Sequence, residues 1–455
     1  MRDAWPWRCV EPHSGAIKTM DNNQQQLRRA IASTAAREYD ISARPPFVVQ
    51  SAKGAWLTDC DGRTILDMTS SNGTVLFGHR RDEIDRAVVD QIQSRGIIFP
   101  TTLSPQRIEL AEQLVARYPS VEKAVFFRTG SDGTSAAIRM ARAYTGRRIV
   151  LSSGYHGWHD WHRQFGQLCY DPETDVFHFG YNLQALSTAL DVARDRIAAV
   201  IVTPELGWFP ESHFKEMARL CRAAGVPFIL DEVMSGLRYG AHGVHGDGGV
   251  DADLMIVSKG LANGFALSTV AGKADLVNAY DAAGLAGTYN KEVTSMAAAL
   301  VALRIFREER PHDAALNIGA ELMSQLQLAA DQVGVPLWVT GPPLMFKTVF
   351  ANAEVADAVT TECFAHGLFL ECNGTHMINF AFGQSELEQA VSIFKASLEA
   401  VKASGKDVGG DRGAIDDARR KDYARSAFGV AFELDLESDV VHALNFRRGS
   451  YEARS

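Results

Sequence analysis

Two polar residues that each follow a short apolar run carry the clearest chemical signal in the sequence. Asp231 follows Pro227-Phe-Ile-Leu, and Lys259 follows Leu254-Met-Ile-Val-Ser. Apolar runs of this length are typical of buried strands, and ligands of open α/β sheets bind at the carboxyl ends of the strands. Pyridoxal phosphate needs an acidic partner for its pyridinium nitrogen and a lysine that forms a Schiff base. The two residues therefore predict a pyridoxal phosphate site.

Each of these two residues also has a simpler interpretation. An ordinary lysine has a pKa of about 10.4, so a lysine that attacks a carbonyl needs surroundings that lower its pKa. The small residues Gly260 and Ala262 after Lys259 leave room for a cofactor, but a lysine at a strand end can also be a solvated surface charge. Asp231 could instead cap a helix or pair with Arg238.

A phosphate site is predicted where Gly130, Ser131 and Asp132 follow a strand and open a helix. The strand is Ala124-Val-Phe-Phe, and the helix continues through small and apolar residues. The first turn of a helix offers free N–H groups, the positive end of the helix dipole and here a hydroxyl group. Ser131 could alternatively serve only as a helix cap.

The stretch Gly154-Tyr-His-Gly-Trp-His-Asp-Trp-His162 follows the next predicted strand. Tyr155 and His156 are aromatic residues at a strand end, where a ring can stack on a cofactor, and Val233 could pack against the other ring face. The three histidines of this stretch with Asp160 also permit a metal site. The sequence offers no second cluster of ligands, so we predict no metal.

Apolar strands alternate with amphipathic helices from about residue 120 to residue 310. This alternation is typical of a mostly parallel sheet covered on both faces, so the predicted fold class is α/β with a large domain of this kind and a smaller α+β domain. The predicted division is a flexible extension (1–22), an N-terminal segment of the small domain (23–75), a large cofactor-binding domain (76–310), the C-terminal part of the small domain (311–404) and a tail without an assigned role (405–455).

The composition is that of an ordinary globular protein. Hydrophobic residues make up 46% and charged residues 22% of the 455 residues, and the net charge is −9. An acidic chain without basic patches does not favour nucleic acid or membrane surfaces as partners. Six scattered cysteines, no apolar run of about 20 residues and no recognisable signal peptide at the N-terminus together predict a cytoplasmic protein.

Taken together, the motifs resemble the class III, or subgroup II, pyridoxal-phosphate aminotransferases, in the branch that contains glutamate-1-semialdehyde aminomutase. The resemblance covers roughly residues 45–400 and depends on seven motifs in the same order. They are Gly54-Ala-Trp-Leu-Thr-Asp-Cys-Asp-Gly-Arg63, Leu76-Phe-Gly-His79, Gly130-Ser-Asp with Ala137-Ile-Arg-Met-Ala-Arg142, Tyr155-His-Gly157, Asp231-Glu-Val-Met-Ser-Gly-Leu-Arg238, Ser258-Lys-Gly-Leu-Ala-Asn-Gly264 and Gly287-Thr288.

This resemblance implies the fold of type I pyridoxal-phosphate transferases and a role for several residues. Lys259 resembles the Schiff-base lysine that also moves protons, and Thr288 resembles a threonine that reaches the phosphate in the neighbouring subunit of a homodimer. The implied cofactor-binding residues lie at strand ends and at one helix start: Gly130, Ser131, Asp132, Tyr155, His156, Glu205, Asp231, Val233 and Thr288.

The sequence departs from the family pattern at three places. The family often has Glu-Pro where this chain has Thr203-Pro204-Glu205, so whether Glu205 replaces that glutamate is open. The aminomutase has a tryptophan after Gly-Ser in its substrate loop, whereas Ser71 is followed here by Asn72, and we expect both residues near the substrate. Tyr289 to Val293 replaces the usual Ser-Gly-Asn-Pro.

The expected activity is amino transfer in two half-reactions, in which a donor amine is consumed first and a ketone or aldehyde is then aminated. The stretch Ala262-Asn-Gly264 after the lysine resembles the aminotransferases more than the aminomutase. An aminomutase or a racemase on the same scaffold is the alternative. A non-catalytic scaffold dimer is a third interpretation, but it predicts the loss of Lys259 or Asp231, and both are present.

Overall fold

The computed structural model of the chain describes residues 22–33, 47–162, 169–171, 173–371 and 374–409. Most of the predicted N-terminal extension (1–22) and of the tail (405–455) lies outside the described residues. The first described residues form helix α1, Asn22–Ser33.

Fifteen strands are present in the described ranges. They are β1 (Val49–Lys53), β2 (Trp56–Asp59), β3 (Thr64–Asp67), β4 (Lys123–Phe127), β5 (Ile149–Ser153), β6 (Cys169–Asp171), β7 (Val176–His178), β8 (Ile197–Val202), β9 (Phe228–Glu232), β10 (Leu254–Val257), β11 (Ser268–Gly272), β12 (Leu337–Thr340), β13 (Phe346–Phe350), β14 (Leu368–Phe369) and β15 (Thr375–His376).

The described ranges also contain three short 3₁₀ helices and thirteen α-helices, three of the latter no longer than five residues. After α1 the α-helices are α2 (Ser70–Gly73), α3 (Asp82–Ser94), α4 (Pro105–Arg117), α5 (Gly130–Thr145), α6 (Leu183–Ala193), α7 (Glu211–Ala224), α8 (Gly243–Gly246), α9 (Ala274–Asn278), α10 (Thr294–Glu309), α11 (Pro311–Val333), α12 (Ala353–Ala365) and α13 (Gln384–Ala403).

An eight-stranded sheet in the order β4-β11-β10-β9-β8-β5-β7-β6 forms the centre of the molecule. The pairs from β10 through β9, β8 and β5 to β7 are parallel. Their residues form continuous apolar runs because helices cover both faces of the sheet. This arrangement agrees with the predicted mostly parallel α/β fold.

Three strands near the two edges of this sheet were not predicted from the sequence. The alternation of strands and helices predicts only β4, β5, β8, β9 and β10, whereas the sheet also contains β6, β7 and β11. Strand β11 pairs antiparallel with both β10 and β4, and β6 pairs antiparallel with β7. These strands are difficult to predict because no helix precedes β11 and because β6 and β7 have only three residues each.

The N-terminal strands and the C-terminal part of the chain form two smaller sheets. Strands β1, β2 and β3 form an antiparallel meander, and β14 joins it by pairing in parallel with β3. Strands β12, β13 and β15 form the other sheet. Helices α11, α12 and α13 share one apolar core with these strands. Segments from both ends of the sequence thus build one α+β unit.

Within the described ranges, no helix combines the length and the apolar character that crossing a membrane requires.

Candidate active site

The ends of five parallel strands bring the predicted site residues to one edge of the large sheet. Strands β4, β5, β8, β9 and β10 point the same way. Asp231 lies near the end of β9, and the predicted motifs at Gly130, Tyr155, Glu205 and Lys259 follow the ends of the other four strands. In the pairing of β9 with β10, Asp231 lies beside Ile256. Lys259 follows three residues after Ile256, beyond the end of β10. The geometry therefore places the carboxylate and the lysine on adjacent strands at the same edge.

Asp231 is a buried carboxylate with two donors from the protein. Its Oδ2 lies 2.8 Å from Nδ1 of His156, and its Oδ1 accepts the backbone N–H of Val233 at 3.1 Å. Asp231 is 3% exposed and His156 is 1% exposed. A buried carboxylate is stabilised by donors of this kind, so the side chain is held in a defined orientation.

Lys259 begins a short 3₁₀ turn at the end of β10. Its φ of 44° places a residue other than glycine in the left-handed region, which costs free energy and is frequent at functional sites. Burial lowers the pKa of Lys259, and the charge of Arg238 lowers it further, while Asp231 and Glu371 act in the opposite direction. A lowered pKa is what a nucleophilic lysine requires, so the structure supports the chemical interpretation over that of a solvated surface charge.

The N-terminus of α5 forms a cradle of backbone N–H groups beside Asp231. Thr129 caps this helix by accepting the N–H of Asp132, and Asp132 in turn accepts the N–H of Thr129 at 2.8 Å. The side chain of Asp132 thus completes a capping box. The N–H groups of Gly130 and Ser131 lie in the first helical turn, where no preceding helical carbonyl can accept them.

Glycines let this cradle approach its neighbours closely. A Cβ atom at Gly130 would lie 2.8 Å from Cγ1 of Val233, and one at Gly157 would collide with the side chain of Ser131. Val233 therefore packs directly on the start of α5, and the loop that carries Tyr155 packs on Ser131. Three loops from different strands are thus held together around one space.

Tyr155 is 57% exposed in the single chain, although the next residue, His156, is buried. Partial burial raises the pKa of Tyr155, and the charge of Asp231 adds to this effect. An exposed aromatic ring close to a buried carboxylate is available to stack on a planar ligand.

The three histidines of the loop after β5 do not converge on one point. His156 faces Asp231, whereas Nδ1 of His159 lies 2.8 Å from Oγ of Ser135. His162 is buried against the rings of His156 and Trp161. Within the described residues, no group of three or more His, Cys, Asp or Glu side chains is arranged to hold a metal ion.

Glu205 lies at the boundary between the two structural units. Its Oε2 is 3.6 Å from Nζ of Lys347 on β13, and Oγ1 of Thr340 donates to the carbonyl of Gly207 at 3.0 Å. Glu205 thus links the loop after β8 to the smaller unit. The residue that lies beside Asp231 from this loop is Thr203, whose Oγ1 is 3.5 Å from Oδ2 of Asp231 and 3.3 Å from Nδ1 of His156.

Sequence reasoning did not select Thr203. The available signal was its position, because it follows directly after β8, as the other site residues follow their strands.

The predicted substrate residues Ser71 and Asn72 lie in an unusual turn. Ser70, Ser71, Asn72 and Gly73 all have positive φ angles, between 47° and 82°. Asp67 stabilises the start of this turn, since its Oδ1 accepts both the N–H and the hydroxyl of Thr69. The side chains of Ser71 and Asn72 are exposed, so they are accessible to a ligand.

Arg238 connects this turn to the smaller structural unit. Its guanidinium donates to the carbonyls of Gly73, Leu344 and Ile378 at 3.2, 3.1 and 2.6 Å. Burial lowers the pKa of Arg238 to about 9, an effect that the charge of Asp67 opposes. Arg238 therefore binds backbone carbonyls, and the alternative in which it forms a salt bridge with Asp231 is not what the structure shows.

Thr288 begins a 3₁₀ turn on the surface, Thr288–Lys291, and is itself exposed. The turn is fixed from outside by Arg107, which donates to the carbonyl of Asn290 at 2.8 Å, and by Lys291, which donates to Thr101 at 2.9 Å. Thr288 is consequently presented at the surface.

These features fit pyridoxal phosphate. The donor set contains a helix start for a phosphate group, a buried carboxylate for a ring nitrogen and a partly buried lysine for an aldehyde. Gly130 and Gly157 provide close approach where a side chain would not fit. No other cofactor is suggested by this combination.

A model of the class-III aminotransferase family matches residues 38–162 and 171–398. This chain belongs to the class-III aminotransferases. A 2'-deamino-2'-hydroxyneamine transaminase from Streptomyces kanamyceticus is 37% identical over 384 residues, which cover 82% of this chain and 96% of the relative. The cofactor of this chain, as a class-III aminotransferase, is pyridoxal phosphate, as the sequence predicted.

Other class-III relatives support both the fold and the sequence-based alternative. A glutamate-1-semialdehyde 2,1-aminomutase from Thermomicrobium roseum is 33% identical over 350 residues, which cover 72% of this chain and 81% of the relative. The FumI protein of Sphingopyxis sp. MTA144, solved with pyridoxal phosphate, matches 87% of this chain and 100% of its own with 25% identity and a TM-score of 0.78. The type I fold predicted for this class-III aminotransferase is thereby confirmed.

Proposed function

We propose that this aminotransferase uses Lys259 as the residue to which pyridoxal phosphate is attached, through the predicted Schiff base, and Asp231 as the partner of the ring nitrogen. The observation that carries the proposal is that these two residues end adjacent parallel strands, one as a buried carboxylate and the other as a lysine with a lowered pKa. Bound pyridoxal phosphate supplies an electron sink that stabilises negative charge at the substrate carbon.

Lys259 is the proposed proton carrier in both half-reactions. Burial lowers the pKa of Lys259, which favours the uncharged amine; in that form Lys259 would take the proton from the substrate carbon and deliver it to the cofactor. His156 and the backbone N–H of Val233 hold the carboxylate of Asp231 in place, and a carboxylate beside a ring nitrogen favours the protonated form of that nitrogen. Donor and acceptor then react in turn, as a ping-pong mechanism requires.

The remaining cofactor contacts follow from the shape of the space. We propose that the N–H groups of Gly130 and Ser131 and the hydroxyl of Ser131 bind the phosphate, while Asp132 maintains the helix start. Tyr155 and Val233 are the proposed contacts of the two ring faces. Glu205 is proposed to contact the cofactor from the boundary between the two units, where its Oε2 lies 3.6 Å from Nζ of Lys347.

We propose a homodimer in which Thr288 reaches the phosphate of the neighbouring subunit. Tyr289, next to Thr288 in the chain, is 68% exposed, and Leu103 and Ile97, on either side of the Thr101 that Lys291 contacts, are 68% and 50% exposed. Exposed apolar side chains that lie together mark interaction surfaces. A second copy of the chain is the partner that would place Thr288 at another active site.

The acceptor is proposed to be a carbonyl on a hydroxyl-bearing molecule. The transaminase from Streptomyces kanamyceticus is named for 2'-deamino-2'-hydroxyneamine, whose name specifies a hydroxyl group. The exposed side chains of Ser71 and Asn72 are uncharged donors and acceptors that suit hydroxyl groups.

The domain division is proposed at the predicted boundaries, 76–310 for the large domain and 23–75 with 311–404 for the small domain. The pairing of β14 with β3 and the shared apolar core support the second grouping. A cytoplasmic location is also proposed, because Cys60, Cys221 and Cys363 are free thiols.

Reduction of the holoenzyme with borohydride followed by peptide mass spectrometry tests the attachment site. We expect the cofactor to be found on the peptide that contains Lys259, and Lys259→Ala to lose this label together with turnover. The expected loss of turnover is roughly 10³-fold or more, since proton transfer alone contributes about 10²–10⁴-fold. A label on another lysine, or normal turnover by Lys259→Ala, contradicts the proposal.

The visible spectrum of the purified holoenzyme separates amino transfer from the aminomutase. Glutamate, alanine and a diamine are added as donors, and conversion of the yellow cofactor to its aminated form identifies an aminotransferase and its donor. A yellow protein that no donor converts supports an internal amino migration or racemisation. Gel filtration of wild type and Thr288→Ala, each with and without cofactor, tests the shared site.

A further inference from the structure

Thr203 occupies a central position among the residues that face the cofactor. Its Oγ1 lies 2.9 Å from the carbonyl oxygen of Tyr155, 3.3 Å from Nδ1 of His156 and 3.5 Å from Oδ2 of Asp231. Thr203 is buried, with 9% of its surface exposed. One hydroxyl group thus touches the proposed stacking residue and both members of the Asp231–His156 pair.

The number of protons decides which of these contacts are hydrogen bonds. A threonine hydroxyl has one proton, and the carbonyl of Tyr155 can only accept, so the hydroxyl donates to Tyr155. The lone pairs of Oγ1 then face Nδ1 of His156. The N–H of His156 donates to Asp231 at 2.8 Å and has Thr203 as a second, longer acceptor. This assignment fixes the proton of His156 on Nδ1.

Thr203 is itself held firmly. Its N–H donates to the carbonyl of Ser153 at 3.1 Å, and its own carbonyl accepts the hydroxyl of the buried Tyr181 at 2.8 Å. A Cβ atom at Gly154, where φ is +100°, would lie 2.8 Å from Cβ of Thr203. Because residue 154 is a glycine, there is room for the side chain of Thr203. A residue whose backbone is bound on both sides and whose Cβ is closely packed can fix the positions of its neighbours.

We propose that Thr203 is a positioning residue that couples the ring-stacking loop of Tyr155 to the Asp231–His156 pair. The inference rests on the proposed function, because it assigns a role toward the same cofactor. Thr203 keeps the backbone of Tyr155 at a fixed distance from Asp231, and it orients the imidazole that donates to Asp231.

The residue type at this position has an electrostatic consequence. A glutamate at position 203 would place a second acidic group next to Asp231. A glutamate that is ionised cannot donate to the carbonyl of Tyr155, and a second carboxylate close to Asp231 raises the pKa of one of the pair. With threonine at position 203, the hydroxyl beside Asp231 carries no charge. Asp231 is then the one carboxylate assigned to the ring nitrogen.

The test compares Thr203→Val, which keeps the shape but lacks the hydroxyl, with Thr203→Ser, which keeps the hydroxyl. Two properties of each holoenzyme are measured: the rate at which pyridoxal phosphate is lost on dilution, and the pH midpoint of the change in visible absorbance. We expect Thr203→Val to release the cofactor roughly 5- to 30-fold faster, as the loss of one buried hydrogen bond allows, and to shift the midpoint. Thr203→Ser should restore both properties.

Tyr181→Phe serves as an independent variant, because it removes the hydroxyl that holds the carbonyl of Thr203. It should change the same two properties in the same direction, by a smaller factor. If Thr203→Val does not fold, Thr203→Ala replaces it in the comparison with Thr203→Ser.

Equal release rates and equal midpoints in wild type and Thr203→Val refute the inference, as does a Thr203→Ser variant that behaves like Thr203→Val. A wild-type protein that takes up no pyridoxal phosphate refutes the proposed function itself. The two failures are therefore distinguishable.

Discussion

Asp231 and His156 meet with 2.8 Å between Oδ2 and Nδ1, and both side chains are almost completely buried. They come from the ends of β9 and β5, two strands that are separated in the sheet by β8. The pair therefore exists only in the folded chain. Its effect is that one oxygen of the carboxylate is occupied by a protein donor, while the backbone N–H of Val233 binds the other.

Asp231→Asn should preserve the shape of this site and remove its charge. An opposite charge shifts a neighbouring pKa by about 1–3, so we expect kcat to fall by about 10- to 10³-fold as the ring nitrogen loses its proton. Steady-state kinetics and the pH dependence of the cofactor absorbance measure the two effects. Asp251→Asn is the control, because Asp251 is exposed and pairs with Arg222 at the surface. A kcat of Asp231→Asn equal to that of the control would contradict the assigned role.

Gly130→Ala tests whether the start of α5 must approach Val233 closely. The added Cβ would lie 2.8 and 2.9 Å from the two γ carbons of Val233. Overpacking costs about 1–3 kcal/mol, which corresponds to a loss of cofactor affinity of roughly 5- to 100-fold. Equilibrium titration of the apoenzyme with pyridoxal phosphate measures this change.

Gly207→Ala is the matched control for this substitution. Its Cβ would have its nearest neighbour at 3.7 Å, an ordinary contact. We expect wild-type affinity for this variant, and a similar loss in both variants would mean that the effect of Gly130→Ala is not local.

Arg238→Met should destabilise the protein and weaken substrate binding. The substitution leaves the carbonyls of Gly73, Leu344 and Ile378 without their common donor. Buried acceptors without a partner cost about 1–3 kcal/mol each, and the released burial cost of the charge offsets part of this. We expect the free energy of unfolding to fall by about 2–4 kcal/mol and KM to rise, because Gly73 ends the turn of Ser71 and Asn72.

Urea unfolding and steady-state kinetics measure these two changes. Arg238→Lys should not restore stability, since one ammonium group cannot reproduce the planar fork that reaches three carbonyls. Arg219→Met, at an exposed position on α7, is the control. Full stability of Arg238→Met would show that the three carbonyls find other donors.

Much of the site could be predicted from the sequence because strand ends are recognisable. Asp231 and Lys259 both follow apolar runs, and parallel strands bring such positions to one edge. Asp231 and Glu232 are consecutive carboxylates in β9, and only Asp231 belongs to the proposed site. Successive residues of a strand point to opposite faces, and Glu232 accepts the N–H groups of Val244 and His245, away from Asp231.

Other features could not be predicted, because they depend on contacts between distant segments. The sequence does not distinguish an Arg238 that pairs with Asp231 from one that binds three backbone carbonyls, each more than 100 residues away from it in the chain. The role of Thr203 depends on the loop after β5. Strand β11 was missed because it runs antiparallel after a loop, without the helix on which the alternation depends.

The buried histidines His162 and His178 should make the free energy of unfolding depend on pH. Burial lowers the pKa of His162 to about 2 and that of His178 to about 4, from an ordinary 6.5, and nearby His156 adds to both effects. Below about pH 6.5 the unfolded chain therefore binds protons that the folded chain does not bind. The free energy of unfolding falls as the pH falls from about 6.5 to about 4, by about 1.4 kcal/mol per pH unit for each histidine.

His162→Phe separates this contribution from that of other acid-sensitive groups. Phenylalanine fits among the rings of His156, Trp161 and His178 and does not titrate. We expect the difference in unfolding free energy between this variant and wild type to grow in favour of the variant by about 1.4 kcal/mol per pH unit between pH 6 and pH 4, as measured by urea unfolding of the holoenzyme. His366→Asn, at an exposed position, controls for the loss of a histidine. Parallel curves for wild type and His162→Phe would mean that His162 is protonated in the folded protein.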